Sequence, residues 1–261
     1  MIWKYVLILL PAGILAGIAS SVAGLASLVS YPALLLVGIP PVTADVTNTA
    51  ALIFTGIGST ISSKRELRGH ARELLKLLPL TVGGSVCGGL LLLSAPASSF
   101  EHIVPFFILS AALLIIWPDL PHVHRKESVS THEKSPLKKR AAVVAVCILI
   151  FFVGAYSGYF GAAAGVVLLA ILAATSHLEF AEYNALKNVA LGASNAVAAI
   201  LFAFRTHIEW MAAVPLAIGF FAGGMIGPAI VRRLPARVLH IAIFICATGL
   251  AVYLFVKAYY G

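Results

Sequence analysis

Apolar residues fill nearly every stretch outside residues 64–76 and 118–140, in blocks long enough to cross a bilayer. A membrane helix needs about 20 such residues, because about 1.5 Å of rise per residue must cover a hydrocarbon core of about 30 Å. With 61% hydrophobic and 11% charged residues and a mean hydropathy of +1.01, the chain leaves no room for a separate soluble domain. Roughly eight to ten crossings fit, so the predicted fold class is an all-α polytopic membrane protein. Residues 1–20, with Lys4 ahead of an apolar run, resemble a signal peptide, but hydrophobicity continues to Pro40. They read as an uncleaved first membrane segment.

Interruptions of the apolar blocks carry the next information. The first block, Tyr5 to Pro41, is too long for one span and is broken by small and polar residues between Ser20 and Ser30. Two shorter helices or a re-entrant hairpin are expected there. A second helix opens near Thr43, which can cap it, and runs to Ser62. A third covers Leu77 to Leu93, where Gly83, Gly84, Gly88 and Gly89 allow close helix contact. A fourth runs to Trp117. Residues 118–140 form the one long hydrophilic linker, separating a first unit, 1–117, from a second, 141–261. Its His122, His124 and His132 read as solvated linker residues, not metal ligands.

The second unit repeats the first. Gly17, Ser20 and Gly24 recur 137 residues later as Gly154, Ser157 and Gly161, and Thr47-Asn48-Thr49-Ala50 recurs 140 residues later as Lys187-Asn188-Val189-Ala190. Asn48 with Thr55 maps onto Asn188 with Asn195 at the same offset. Pro79 and Gly83 return as Pro215 and Gly219, and Pro96-Ala97 as Pro235-Ala236. Such drift by only a few residues in one order indicates a duplicated unit. If the loops at 64–76, 118–140, 176–187 and 231–238 share a side, 15 of the 18 basic residues lie there, leaving Lys4, Arg205 and Lys257 opposite. With four passes per unit Arg232, Arg233 and Arg237 move across and the split becomes 14 to 4, so the bias slightly favours an inverted repeat with the linker in the cytoplasm, in a multi-pass protein of the plasma membrane. The net charge of +8 therefore reports topology and anionic lipid headgroups rather than a nucleic-acid partner.

Polar side chains enter the oily sequence most densely at Glu182 to Asn195, EYNALKNVALGASN. Asn184, Asn188 and Asn195 fall on one helical face, with Lys187 at its edge. Hydrocarbon cannot satisfy these groups. Either Lys187 snorkels to the interface and the asparagines hold helices together, or the face forms a substrate site. Two breaks and two polar helix starts facing one another would supply backbone N–H groups at half-helix N-termini, which hold anions. Thr47, Asn48, Asn184, Lys187, Asn188 and Asn195, with the hydroxyls of Ser20, Ser21, Tyr156 and Ser157, are the candidate shell for a small anion.

At these residues the chain resembles the sulfite exporter TauE/SafE family. The Gly- and Ala-rich break opening each half, the Thr47-Asn48-Thr49-Ala50 and Asn184-Ala-Leu-Lys-Asn-Val-Ala stretches and Arg233-Leu-Pro-Ala-Arg-Val-Leu carry the resemblance, which covers nearly the whole chain. It implies a secondary transporter for sulfur-containing anions such as sulfite, sulfoacetate or thiosulfate, without a cofactor. A channel or a permease for another small anion is the alternative, and a homodimer is compatible with either.

Other classes find little support. An intramembrane enzyme would need paired acids or a nucleophile with a histidine, yet only His240 sits clearly within an apolar run. Cys87, Cys147 and Cys246 lie singly, without metal or redox spacing. Asp45 and the glutamates are expected at helix ends or in loops, which argues against a metal-ion pathway and leaves proton coupling without a candidate.

Overall fold

The computed structural model describes residues 2–94 and 136–231, together with Val252 and Val256. Eight helices occupy the described residues: α1 Ile2–Ala23, α2 Ser27–Leu36, α3 Pro41–Ser62, α4 Ala71–Ser94, α5 Pro136–Tyr159, α6 Ala164–Thr175, α7 Phe180–Arg205 and α8 Trp210–Val231. Five of them, α1, α4, α5, α7 and α8, are long and apolar enough to cross a membrane. Large apolar side chains such as Trp3, Leu7, Leu15, Phe152, Phe204 and Ile218 point outward. An outer surface of this kind suits lipid, not water. The fourth predicted helix, most of the 118–140 linker, Cys246, His240, Pro96-Ala97, Pro235-Ala236 and the Arg233 motif lie outside the described residues.

The expected break in the first block is real and falls at residues 24–26. Gly24 adopts φ +79°, and its N–H closes α1 onto the Ser20 carbonyl at 2.7 Å. An ordinary L-residue resists that backbone conformation, whereas glycine enters it without a Cβ clash. Its counterpart Gly161, at φ +71°, lies two residues past the end of α5, where its N–H reaches back to the Tyr156 carbonyl at 2.9 Å. The helices that follow the breaks, α2 with 10 residues and α6 with 12, are too short to span a bilayer alone. Among the described residues, long, short, long, long is thus the order of elements in each unit.

Two expectations about helix starts are corrected. Thr43 does not cap α3; Pro40 stands at the N-cap and Pro41 at the first helical position, where a missing N–H costs nothing. The third helix begins at Ala71, six residues before Leu77, so part of the charged 64–76 stretch is helical.

Small residues set the packing. Gly13 and Gly17 of α1 meet Gly219 and Gly223 of α8, and Gly84 and Gly88 of α4 meet Ala155 of α5. In both pairs the contacts advance together along the sequence, so the helices run parallel. At the centre Gly56 of α3 crosses Gly192 of α7, and a Cβ added to Gly56 would lie 2.6 Å from the Gly192 Cα. Backbones this close gain dispersion contact that lipid cannot replace. Thr47 near the start of α3 accepts a hydrogen bond from Glu209 N–H beyond the end of α7, so these two helices run antiparallel. α3 carries many polar side chains for a helix in such a bundle; it packs chiefly against α8 and α7, and its Thr47, Asn48, Thr49, Thr55 and Ser59 are buried.

Candidate functional site

The two breaks face one another. Gly24 packs against Gly165, in the first turn of α6, and both line a cavity of about 30 Å³ between the halves. Its polar lining comes from Ser20, Ser27, Thr49, Ser157 and Asn195, with Gly161 and Ala164 adding backbone. An adjoining cavity of about 20 Å³ shares Ser20, Leu52, Leu191 and Asn195 and adds Thr55, Ser59 and Asn188. Each has room for ordered water beside several polar partners. The first turns of α2 and α6, at Ser27 and at Ala164 and Gly165, contribute to the wall. Helix first turns leave N–H groups without intrahelical acceptors and carry partial positive charge. No carboxylate lines either cavity. Hydroxyls, carboxamides and helix N-termini without an acid make a lining that donates to anions. The backbone holds strain here too, since Ala163 before α6 sits at φ 59°.

Beside the cavities, α7 ties down the broken end of α1. Asn184 Nδ2 and Asn188 Nδ2 donate to the Ser21 carbonyl at 2.9 and 3.0 Å, and Lys187 Nζ donates to the Ser20 carbonyl at 2.9 Å. The last carbonyls of a helix lack intrahelical donors and carry partial negative charge. Two amides and an ammonium are therefore placed where α1 needs them. Lys187 is fully buried, among the largest side chains to be so. It does not snorkel. Nor is it the loop charge that the topology count assumed, and among the described residues no carboxylate lies within ion-pair distance of it. Glu182 is engaged elsewhere, in a capping box with Glu179 and 3.4 Å from His70.

The candidate residues from sequence divide accordingly. Ser20, Ser157, Asn188 and Asn195 are brought together around the cavities. Lys187 and Asn184 stand one layer out, bonded to the carbonyls of Ser20 and Ser21. Asn48 donates to Ser27 Oγ at 3.2 Å and so positions a lining hydroxyl. Thr47, Ser21 and Tyr156 do not reach the cavities. Thr47 accepts from Glu209 N–H, Ser21 Oγ donates to the Gly17 carbonyl within its own helix, and Tyr156 donates to the Ala162 carbonyl at 2.7 Å, clamping the second break. Sequence reasoning missed Ser27, Thr49 and Ser59. Thr49, Leu52, Gly56 and Ser59 follow the i, i+3, i+7, i+10 spacing of one helical stripe, a signal available in the sequence.

Asp45 is a further correction. It was expected at a helix end, away from any membrane relay, yet it is 1% exposed, and neither carboxyl oxygen has a hydrogen-bond partner among the described residues. It lies one turn before Thr49 on the cavity-lining stripe.

The model of the family described as sulfite exporter TauE/SafE matches residues 9–254. A probable membrane transporter protein of Sinorhizobium sp is 27% identical over 256 residues, covering 94% of this chain and 90% of that protein. A probable membrane transporter protein of Haemophilus influenzae is 25% identical, with coverage of 86% and 84%. The probable membrane transporter protein YfcA of Escherichia coli strain K12 is 24% identical, with coverage of 86% and 80%. No solved structure matches. Apolar spans, paired breaks and a full-length match agree: this membrane protein belongs to the sulfite exporter TauE/SafE family.

Proposed function

We propose that the chain is a secondary transporter of the plasma membrane that carries small sulfur-containing anions, such as sulfite, organosulfonates or thiosulfate, by alternating access. The observation that carries this reading is the acid-free polar cavity between the two breaks, walled by the first turns of α2 and α6. A sulfonate or sulfite presents three oxygens and a charge, which suits several converging donors. Lys187 holds a buried amine donor against the Ser20 carbonyl beside the cavity, and Asn48 adds orientation through Ser27.

The two units are read as an inverted repeat. Support comes from helix directions: α1 runs parallel to α8 and α4 parallel to α5, so the first long helix of each unit pairs with the last of the other, while the corresponding helices α3 and α7 run antiparallel. Exchange of partners in this manner follows from a twofold axis in the membrane plane. Cavities of only about 30 and 20 Å³ favour a carrier over a channel, since a channel needs a continuous wet path.

Uptake and efflux of labelled sulfite, thiosulfate, sulfoacetate and chloride in proteoliposomes, with the gradient set each way, tests the proposal. Saturable flux of the sulfur anions and exchange of labelled for unlabelled substrate are expected. Unsaturable flux that follows voltage would mean a channel, and flux of chloride alone would remove the sulfur-anion assignment.

A further inference from the structure

We propose that Asp45 is a proton-binding site loaded together with the anion, which makes the carrier a proton–anion symporter; this rests on the transport reading above. Asp45, Thr49, Leu52, Gly56 and Ser59 form one stripe along α3, at i, i+4, i+7, i+11 and i+14. The last four line the cavities, so Asp45 occupies the next turn of the same face. Its two carboxyl oxygens are buried with no hydrogen-bond partner among the described residues. A bare carboxylate there is an unpaired charge in apolar surroundings, whereas a carboxylic acid is neutral.

The surrounding charges offer no alternative compensation. α3 has no other titratable side chain, and neither has α8. From α2 comes Tyr31, from α1 the described side chain of Tyr5, from α7 Glu182, Tyr183, Lys187 and Arg205, and from the turn after α7 His207 and Glu209, which lie 3.6 Å from each other. None of the basic groups is ion-paired with Asp45. Lys187 is spent on the Ser20 carbonyl. On α5, Tyr156 and Tyr159 flank Ser157 at the cavity wall, and the Tyr156 hydroxyl donates to the Ala162 carbonyl.

Proton and anion are then coupled through the field. An ionised Asp45 one turn from the cavity repels an incoming anion, and a protonated one does not. By reciprocity an anion in the cavity favours protonation by the same factor, on the order of tenfold for charges about 10 Å apart in partly screened protein. One proton joins a carboxylate oxygen on one side and leaves to water on the other; no electron moves.

Full-length protein in proteoliposomes containing a pH-sensitive dye gives the test, with thiosulfate and sulfoacetate as probes because neither crosses as a neutral acid. Wild type should acidify the lumen as the anion enters, and an inward proton gradient should accelerate uptake. Asp45→Asn should keep exchange of labelled for unlabelled anion but lose acidification and the response to the gradient. Anion entry by wild type that moves no protons, or acidification retained in Asp45→Asn, overturns the proposal while leaving the transport reading intact. The infrared band of a protonated carboxyl group in wild type at neutral pH, absent from Asp45→Asn, is expected independently of transport. If wild type carries neither probe, the transport reading falls and symport with it.

Discussion

Replacing Lys187 by methionine separates two roles that the lysine could play. The ammonium donates to the Ser20 carbonyl at 2.9 Å, a charge-assisted bond of about 1.5–3 kcal/mol. Against this stands the cost of burying an ammonium completely, which remains several kcal/mol after relaxation. Methionine has similar length and no charge. Removing the lysine does not orphan the Ser20 carbonyl either, because Gly24 N–H still bonds it at 2.7 Å. The two terms cancel to within about 2 kcal/mol, so detergent melting of Lys187→Met should lie close to or above that of wild type. Transport should respond differently. Loss of the positive charge beside the cavity should weaken anion affinity about tenfold to a hundredfold, equivalent to roughly 1.4–2.7 kcal/mol. Lys187→Arg should rescue this poorly, since a planar fork does not fit a site built around a fully buried ammonium. Thermal melting and saturation of labelled-anion uptake, measured on the same preparation, decide the matter. If Lys187→Met melts well below wild type while its affinity is unchanged, the lysine is a helix cap and its charge has no part in substrate binding.

Asn48→Ala and Asn188→Ala should each raise the substrate concentration for half-maximal uptake, with melting shifted by no more than about 1 kcal/mol, because Asn48 makes one long bond and Asn184 still reaches the Ser21 carbonyl; normal transport in both would make them helix ties. Gly24→Ala and Gly38→Ala share a left-handed backbone, but only Gly24 packs against another backbone, so Gly24→Ala should lose transport and Gly38→Ala should cost only about 1 kcal/mol of stability. Equal effects in melting and uptake would show that the contact with Gly165 is dispensable. For topology, a cysteine at Arg68 should be protected from an impermeant thiol reagent added outside intact cells and a cysteine at His207 should be labelled. The reverse pattern would turn the protein over in the membrane.

Periodicity and composition carry a definite part of this protein. Apolar block length alone requires membrane helices, since continuous runs of about 20 apolar residues match a helical span, which satisfies its backbone polar groups within the segment. The breaks were legible because Gly17, Ser20 and Gly24 recur as Gly154, Ser157 and Gly161, and both break glycines take left-handed conformations. A polar face on α7 was legible from the spacing of Asn184, Asn188 and Asn195, all of them buried. What a face meets is another matter. Helical spacing specifies an angle round one axis, and the partner is chosen by how the helices cross. Only the tertiary structure turned Lys187, Asn184 and Asn188 onto the last carbonyls of α1, and only it occupied the Ser21 and Tyr156 hydroxyls with neighbouring backbone. Asp45 is the clearest case. It lies five residues into a helix, a position that reads as an exposed end, yet the surrounding helices exclude it from water. Burial is a property of every element packed around a side chain, so no local stretch of sequence contains it.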